Sequence, residues 1–185
     1  MTQEEYELLK ELLLKDLCAR LPYGVIGQCE IDASYDTSFD TKPQTHKFNA
    51  VVYGLKDDSL LVSPMIENQD ELEFANEEIA DGVDILDFKP YLFSISNMPE
   101  EATREFSKTL DWVRTTHGDS ESEMTWDTFD CVNKHHIDYR GFIEKGLAID
   151  ATGLNIYEYC SPIDENINVY TTNKCWGNVT ENLEN

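Results

Sequence analysis

The sequence predicts an α+β domain, and two changes in the rhythm of its apolar residues carry that prediction. Apolar side chains recur at helical spacing from Tyr6 to Leu17, approach alternation between Gly24 and Ile95, and return to helical spacing from Ala102 onward. Length sets the scale: 185 residues suffice for one substantial hydrophobic core, with little room for a second independent one. The expected arrangement is an N-terminal helix, a small strongly bent antiparallel sheet, and then helices packing on it. Residues 1–157 are expected to form this single domain, with 158–185 as a turn-rich C-terminal extension packed on it.

The first helix opens at Thr2, which stands three residues before Glu5 in the spacing of a capping box. Tyr6, Leu9, Leu13 and Leu17 form its apolar stripe, widened by Leu8 and Leu12, and the breakers in Leu21-Pro22-Tyr23-Gly24 stop it near residue 19. "GVIGQCEID", "HKFNAVVYGL" and "SLLVSPM" read as strands, the last two joined by the short polar turn Lys56-Asp57-Asp58. "ENQDELEFANEEIADG" is a strongly acidic interruption, either a loop or a short helix. "VDILDFKPYLFSI" returns to strand character, with Pro90 restricting it to an edge, a strand start or a bulge. Four or five short strands with tight turns predict a partial barrel resembling the SH3 type.

Asn97 and Glu100 open a second helix with Pro99 in its first turn, and Ala102, Phe106, Leu110 and Val113 mark the face it buries. "THGDSESE" is a polar loop. A third helix runs from about Thr125, with Trp126, Phe129, Val132 and His136 on one side. From Leu154 the chain is rich in Asn, Thr and Tyr, with room for one or two short strands.

Charge is the extreme property. Thirty-seven Asp and Glu against fourteen Lys and Arg leave a formal net charge of −23. Such a field repels phosphate backbones and anionic membranes, so direct nucleic-acid and membrane binding are not expected. It serves solubility, or it serves a protein partner with a basic surface, for example a nucleic-acid-binding protein whose site the chain would mask. No apolar run approaches the roughly 20 residues that span a bilayer. Glu4 and Glu5 stand where a secretory signal carries Lys or Arg, so a cytoplasmic location is expected. Five scattered cysteines with no C-x-x-C pair fit reduced, mostly buried thiols better than a disulfide scaffold or a zinc cluster.

"HHIDYRGFIEKGLAID", from His135 to Asp150, holds the densest polar grouping. Capping rules account for it. His135 and His136 fall in the last turn of the third helix, Asp138 caps a short helix beginning at Tyr139, and Gly146 ends that helix in the left-handed conformation. Ile137 and Phe142 have the spacing of a hydrophobic staple. Adjacent histidines on a helix point about 100° apart, so both cannot easily bind one metal. A third ligand would have to come from His46, His117 or a distant carboxylate. Tyr139 beside Arg140 is a usual anchor pair in interfaces, which makes Asp138, Tyr139, Arg140 and His135 the candidate interaction residues. The alternative for Arg140 is an ion pair with a nearby carboxylate.

No catalytic, cofactor or metal residue is expected, and the reading is of a non-catalytic acidic interaction protein. The alternative is a metal-dependent hydrolase or nuclease. Asp87-Phe88-Lys89 with Asp84, and Glu67 as a third carboxylate, offers the pieces for holding Mg²⁺ and orienting water, as does the His135/His136 region with nearby acids. Asp32, Asp36 and Asp40 are spaced by four, but their Ser/Thr-rich context ends at a proline and reads as a solvated loop. Asp119 to Glu123 lacks the glycine and terminal glutamate of a calcium loop. No G-x-S-x-G, P-loop or G-x-G-x-x-G is present.

Three blocks, "KDLCARLPYGVIGQ", "DFKPYLFSISNMPEEA" and "KHHIDYRGFIEKGLAIDATGLNIY", resemble those of a family of uncharacterised proteins frequent in Bacteroidales genomes and their phages and prophages. They cover about half the chain, in the family's order. The resemblance implies a bacterial or phage-infected cytoplasm and a mobile-element origin, and it brings no activity or catalytic residues. Relatives tend to end near a GLNIY-like segment, so the extension after Tyr157 is the part least covered.

Overall fold

In the computed structural model, which describes residues 2–33, 44–117 and 126–157, Thr2 caps the first helix, α1 (Gln3–Arg20). Its hydroxyl accepts the Glu5 N–H while the Glu5 carboxylate accepts the Thr2 N–H, the reciprocal bonds that the spacing predicts. Gly24, at φ 74°, donates its N–H to the Leu21 carbonyl and turns the chain into the sheet. Leu13 and Leu17 are buried as expected, whereas Leu8 is 64% exposed and lies off the stripe.

The sheet has six strands: β1 (Val25–Ala33), β2 (Gln44–Lys56), β3 (Ser59–Pro64), β4 (Val83–Asp84), β5 (Phe88–Leu92) and β6 (Ile149–Asp150), in the order β4-β3-β2-β1-β5-β6. The first four form an antiparallel meander. A single 3₁₀ turn, Ile85–Asp87, then returns β5 to pair antiparallel with β1. This is the connectivity expected of an SH3-type partial barrel, and the sheet curls as half of one. The curl has a visible source in β2, where Tyr53 is the extra residue of a bulge between Val52 and Gly54 and stands out at 55% exposure.

One pairing departs from the antiparallel expectation. β6 runs parallel to β5, with Tyr91 opposite Ile149 and Leu92 opposite Asp150. Parallel neighbours need a long crossover, and the stretch after β5 contains two helices that provide it. Pro90 lies just before this ladder, so β5 is locally an edge there and the missing N–H costs nothing. Opposite it, Gly27 is required by contact: a Cβ there would sit 2.3 Å from the Phe88 ring and 2.6 Å from the Lys89 carbonyl oxygen.

The acidic interruption is a helix, α2 (Gln69–Glu78), capped by the Asn68 side chain on the Asp70 and Glu71 N–H groups. The second predicted helix is α3 (Glu100–His117). Asn97 ends a separate 3₁₀ turn instead of capping it, and the Pro99 carbonyl accepts the Thr103 N–H at the helix start. The third is α4 (Trp126–Lys134), where Trp126 is 89% exposed, away from the face on which it was expected.

Among the described residues, apolar clusters hold these elements. Leu13 and Leu17 of α1 pack with Val25, Cys29, Ala50, Val52, Leu60, Val62, Phe88 and Leu92 of the sheet. Each buried Leu, Val or Phe among them contributes about 1.5–3 kcal/mol by leaving water. Ala102 of α3 and Val132 of α4 gather with Ile137, joined by Phe93, Met98, Phe106 and Tyr139.

The chain divides into two units, Met1–Thr152 and Gly153–Asn185, and only residues 153–157 of the second are described. Asp36, Asp40, the acidic run Asp119 to Glu123, Cys160, Cys175 and the extension from residue 158 therefore lie outside the described residues. The same holds for the side chains of Asp32, Val113 and His117. Among the described residues, no helix is long and apolar enough to cross a membrane.

Candidate functional site

The polar residues singled out by the sequence gather where α1 meets the end of α4. Asp16 and Arg20, one turn apart on α1, are both buried, and the Arg20 Nε and Nη2 donate to the two Asp16 oxygens at 2.7 and 3.2 Å. Arg20 also donates to the Val132 carbonyl at 3.3 Å and the Ile137 carbonyl at 2.9 Å, so one guanidinium ties α1 to the end of α4. Arg140 completes the acid's partners, its Nε 3.1 Å from Asp16 Oδ1. The Tyr139 ring lies beneath both guanidiniums, 5.4 Å from Arg20 and 4.8 Å from Arg140, an arrangement that lets two like charges approach across a π face.

The two histidines have separate work. α4 ends in a Schellman motif: the His136 N–H donates to Asn133 O at 3.1 Å and the Ile137 N–H to Val132 O at 2.8 Å. His136 holds the left-handed position at φ 54°, a place glycine usually takes. Ile137 and Val132 share one apolar cluster, as the motif favours. Burial, with the nearby Arg20 charge adding to it, pulls the His136 pKa down to about 3 against a hydrogen bond to the Tyr23 backbone, so the ring is neutral.

Beyond it, the short helix expected from Tyr139 does not form. Gly141 adopts φ 68°, and the chain makes successive turns instead. Asp138 still satisfies orphan donors, but those of Phe142 and Ile143, each at 2.8 Å, and Lys145 Nζ donates to the Arg140 and Gly141 carbonyls. Gly146 is left-handed at φ 70°, as expected. Asp138, Tyr139 and Arg140 are thus each engaged within the chain, Arg140 by a carboxylate.

His135 does something the sequence reading did not foresee. Its Nε2 lies 2.8 Å from Glu105 Oε2 on α3, and Lys134 Nζ reaches the same carboxylate at 3.0 and 3.1 Å. The Cys131 thiol, one turn before His135, completes a group whose three donor atoms all lie within 4.8 Å of one another. Cys131 is 3% exposed, and burial, with the Glu105 charge adding to it, pushes its pKa up to about 11. The hydrogen bond from His135 is the main cause holding Glu105 below the usual glutamate value. The C-x-x-x-H spacing from Cys131 to His135 was visible in the sequence; Glu105 lies on another helix and was not.

Asp84, Asp87 and Lys89 do not assemble as a metal centre. Asp84 caps Leu86 at 3.0 Å, pairs with Lys10 at 3.0 Å and accepts the Tyr6 hydroxyl at 3.3 Å, fastening α1 to β4. Among the described residues, the group of Glu105, Cys131 and His135 is the one set of three or more His, Cys, Asp or Glu donors close enough to share an ion, and neither Asp84, Asp87 nor Glu67 belongs to it. Asp84 and Asp87 instead join Glu30 and Glu78 around a cavity of about 480 Å³ beside β4.

No family model, curated protein or solved structure matches this chain. What it does must be read from these residues.

Proposed function

We propose that this is a non-catalytic binding protein, encoded by a phage or mobile element of a Bacteroidales host, whose acidic face takes a protein partner with a basic surface. One observation carries the reading. Residues 57–88 hold eleven Asp and Glu and not one Lys or Arg. They form the hairpin turn, β3, α2, β4 and the turn after it, and β3 pairs with β4. Asp70, Glu73 and Glu77 fall on one stripe of α2 and are exposed, and Glu78, Asp84 and Asp87 of the same run line the cavity beside β4 together with Glu30. Lys10 on Asp84 and Lys56 near Asp81 offset only part of this charge, and the carboxylates in excess deepen the local negative potential and speed the approach of a cationic surface. At the polar corner, Asp138, Arg140 and Lys145 spend their side chains on partners within the chain, which leaves the acidic run as the better candidate surface.

An affinity pull-down from host lysate at low and high salt tests the proposal. The Debye length falls from about 10 Å at 0.1 M to about 3 Å at 1 M salt, so a charge-steered complex is captured at the first and released at the second. Identification of the captured protein should then show a basic surface. Absence of any specific partner at both salt concentrations would contradict the proposal.

A further inference from the structure

We propose that Glu105, Cys131 and His135 form a binding site for a thiophilic divalent ion, with Zn²⁺ as the best fit, at the seam between α3 and α4. Cys131 and His135 stand four residues apart, so both project from one side of α4 at its C-terminal end, and Glu105 faces them from α3. The three donor atoms lie within 4.8 Å of one another. Ligand atoms around a tetrahedral Zn²⁺ sit about 3.3–3.8 Å apart, so rotamer adjustment of the half-buried Glu105 brings the set to bonding distance.

The donor chemistry selects the ion. A thiolate, an imidazole and a carboxylate suit Zn²⁺, whereas Mg²⁺ and Ca²⁺ take oxygen sets. The same three residues superficially resemble a thiol–imidazole–carboxylate catalytic array, but the Cys131 sulfur is buried and no substrate could reach it. An ion entering past Glu105, whose side chain is 38% exposed, needs only that edge to be open. Lys134 contacts both Glu105 oxygens, and on binding it keeps one while the ion takes the other in place of the His135 hydrogen bond. Protons balance: Zn²⁺ enters and the Cys131 thiol gives its proton to solvent. His135, whose Nε2–H donates to Glu105 before the ion enters, gives up that proton as Nδ1 takes one from solvent, so that it binds through Nε2 as neutral imidazole. The consequence is a clasp fastening α3 to α4, which would make the stability of this helical layer respond to metal.

The test uses the full chain, stripped with chelator and titrated with Co²⁺ as a spectroscopic probe and with Zn²⁺ by calorimetry. Saturable binding of one ion per chain is expected, with a thiolate-to-cobalt charge-transfer band in the near ultraviolet. Cys131→Ser should remove that band. Glu105→Gln, which keeps the side chain's size and whose folding circular dichroism checks, should weaken Zn²⁺ binding at least about tenfold. If Cys131→Ser fails to fold, Glu105→Gln and His135→Gln decide the matter. No saturable binding overturns the proposal, and so does binding that all the folded variants leave unchanged, since the ion would then sit elsewhere.

Discussion

Arg20 and Asp16 form an ion pair in which neither side chain reaches solvent, one turn apart on a helix that also buries Leu13 and Leu17. Four residues apart on α1, they would read in any sequence as a surface pair worth a few tenths of a kcal/mol. Here the pair is the junction of α1 with the end of α4, because Arg20 spends its remaining donors on the Val132 and Ile137 carbonyls.

Arg20→Met should therefore destabilise the fold by about 3–5 kcal/mol, since it strands the buried Asp16 carboxylate with only Arg140 for company. The double variant Asp16→Leu with Arg20→Met should lose clearly less than the sum of the two single changes. Urea denaturation of the four proteins measures this coupling. Additive losses would show that the two charges do not depend on each other.

His136 gives a second prediction, about backbone conformation. A non-glycine residue in the left-handed region costs about 1–3 kcal/mol, and β-branched residues tolerate it worst. His136→Gly relieves that strain while losing the packing of the ring, and His136→Val keeps some bulk but cannot adopt the angle comfortably. The valine variant should be less stable than the glycine variant by at least about 1 kcal/mol. Equal stability in chemical denaturation would mean that the left-handed turn does not govern this helix end.

Asp84 makes a pH-dependent prediction. Burial disfavours its charge, yet the Leu86 N–H, Lys10 and Tyr6 together hold its pKa below the usual aspartate value. A carboxylate whose pKa is lower folded than unfolded adds stability that is fully present above the unfolded value, about 3.9. That stability is lost as pH falls through the lower folded value. Asp84→Asn should cost up to about 1 kcal/mol at neutral pH, with the gap to the parent closing below about pH 3.9. Denaturation midpoints at pH 7, 5 and 3 check it. A gap that persists undiminished at pH 3 would assign the effect to something other than the charge.

How far the sequence reveals this fold depends on whether the deciding interaction is local. The Thr2 and Glu5 cap, the Asp57-Asp58 turn between β2 and β3, and the left-handed Gly146 are settled within a few residues, and all were legible. The parallel β5–β6 pair was not, because it joins segments separated by two helices. Gly141 misled in the other direction. A glycine inside a capped, amphipathic pattern reads as a tolerated helix residue, but at φ 68° it breaks that helix into turns. At the corner, the reading that polar side chains finish backbone ends holds for Asp138, which accepts the Phe142 and Ile143 N–H groups, whereas at His136 it is the left-handed backbone, not the buried neutral ring, that ends α4. His135 faces α3, and no local pattern could place Glu105 against it. The burial of Asp16 and Arg20 was equally hidden, since the carbonyls that justify it come from residues 112 and 117 positions further along the chain.

Two helices of this protein supply a matched pair for the decisive experiment. Asp70, Glu73 and Glu77 of α2 occupy the same helical positions as Glu4, Glu7 and Glu11 of α1, and all six are exposed. Neutralising either trio to the corresponding amides removes the same charge from the same places in a helix, one trio inside the uninterrupted acidic region and one outside it. The measurement is the affinity of each variant, and of the parent, for the captured partner across a range of salt concentrations. Loss of affinity and a flatter salt dependence confined to the α2 variant is the predicted result; equal losses from both trios, or none from either, would contradict the assignment of this face as the binding surface.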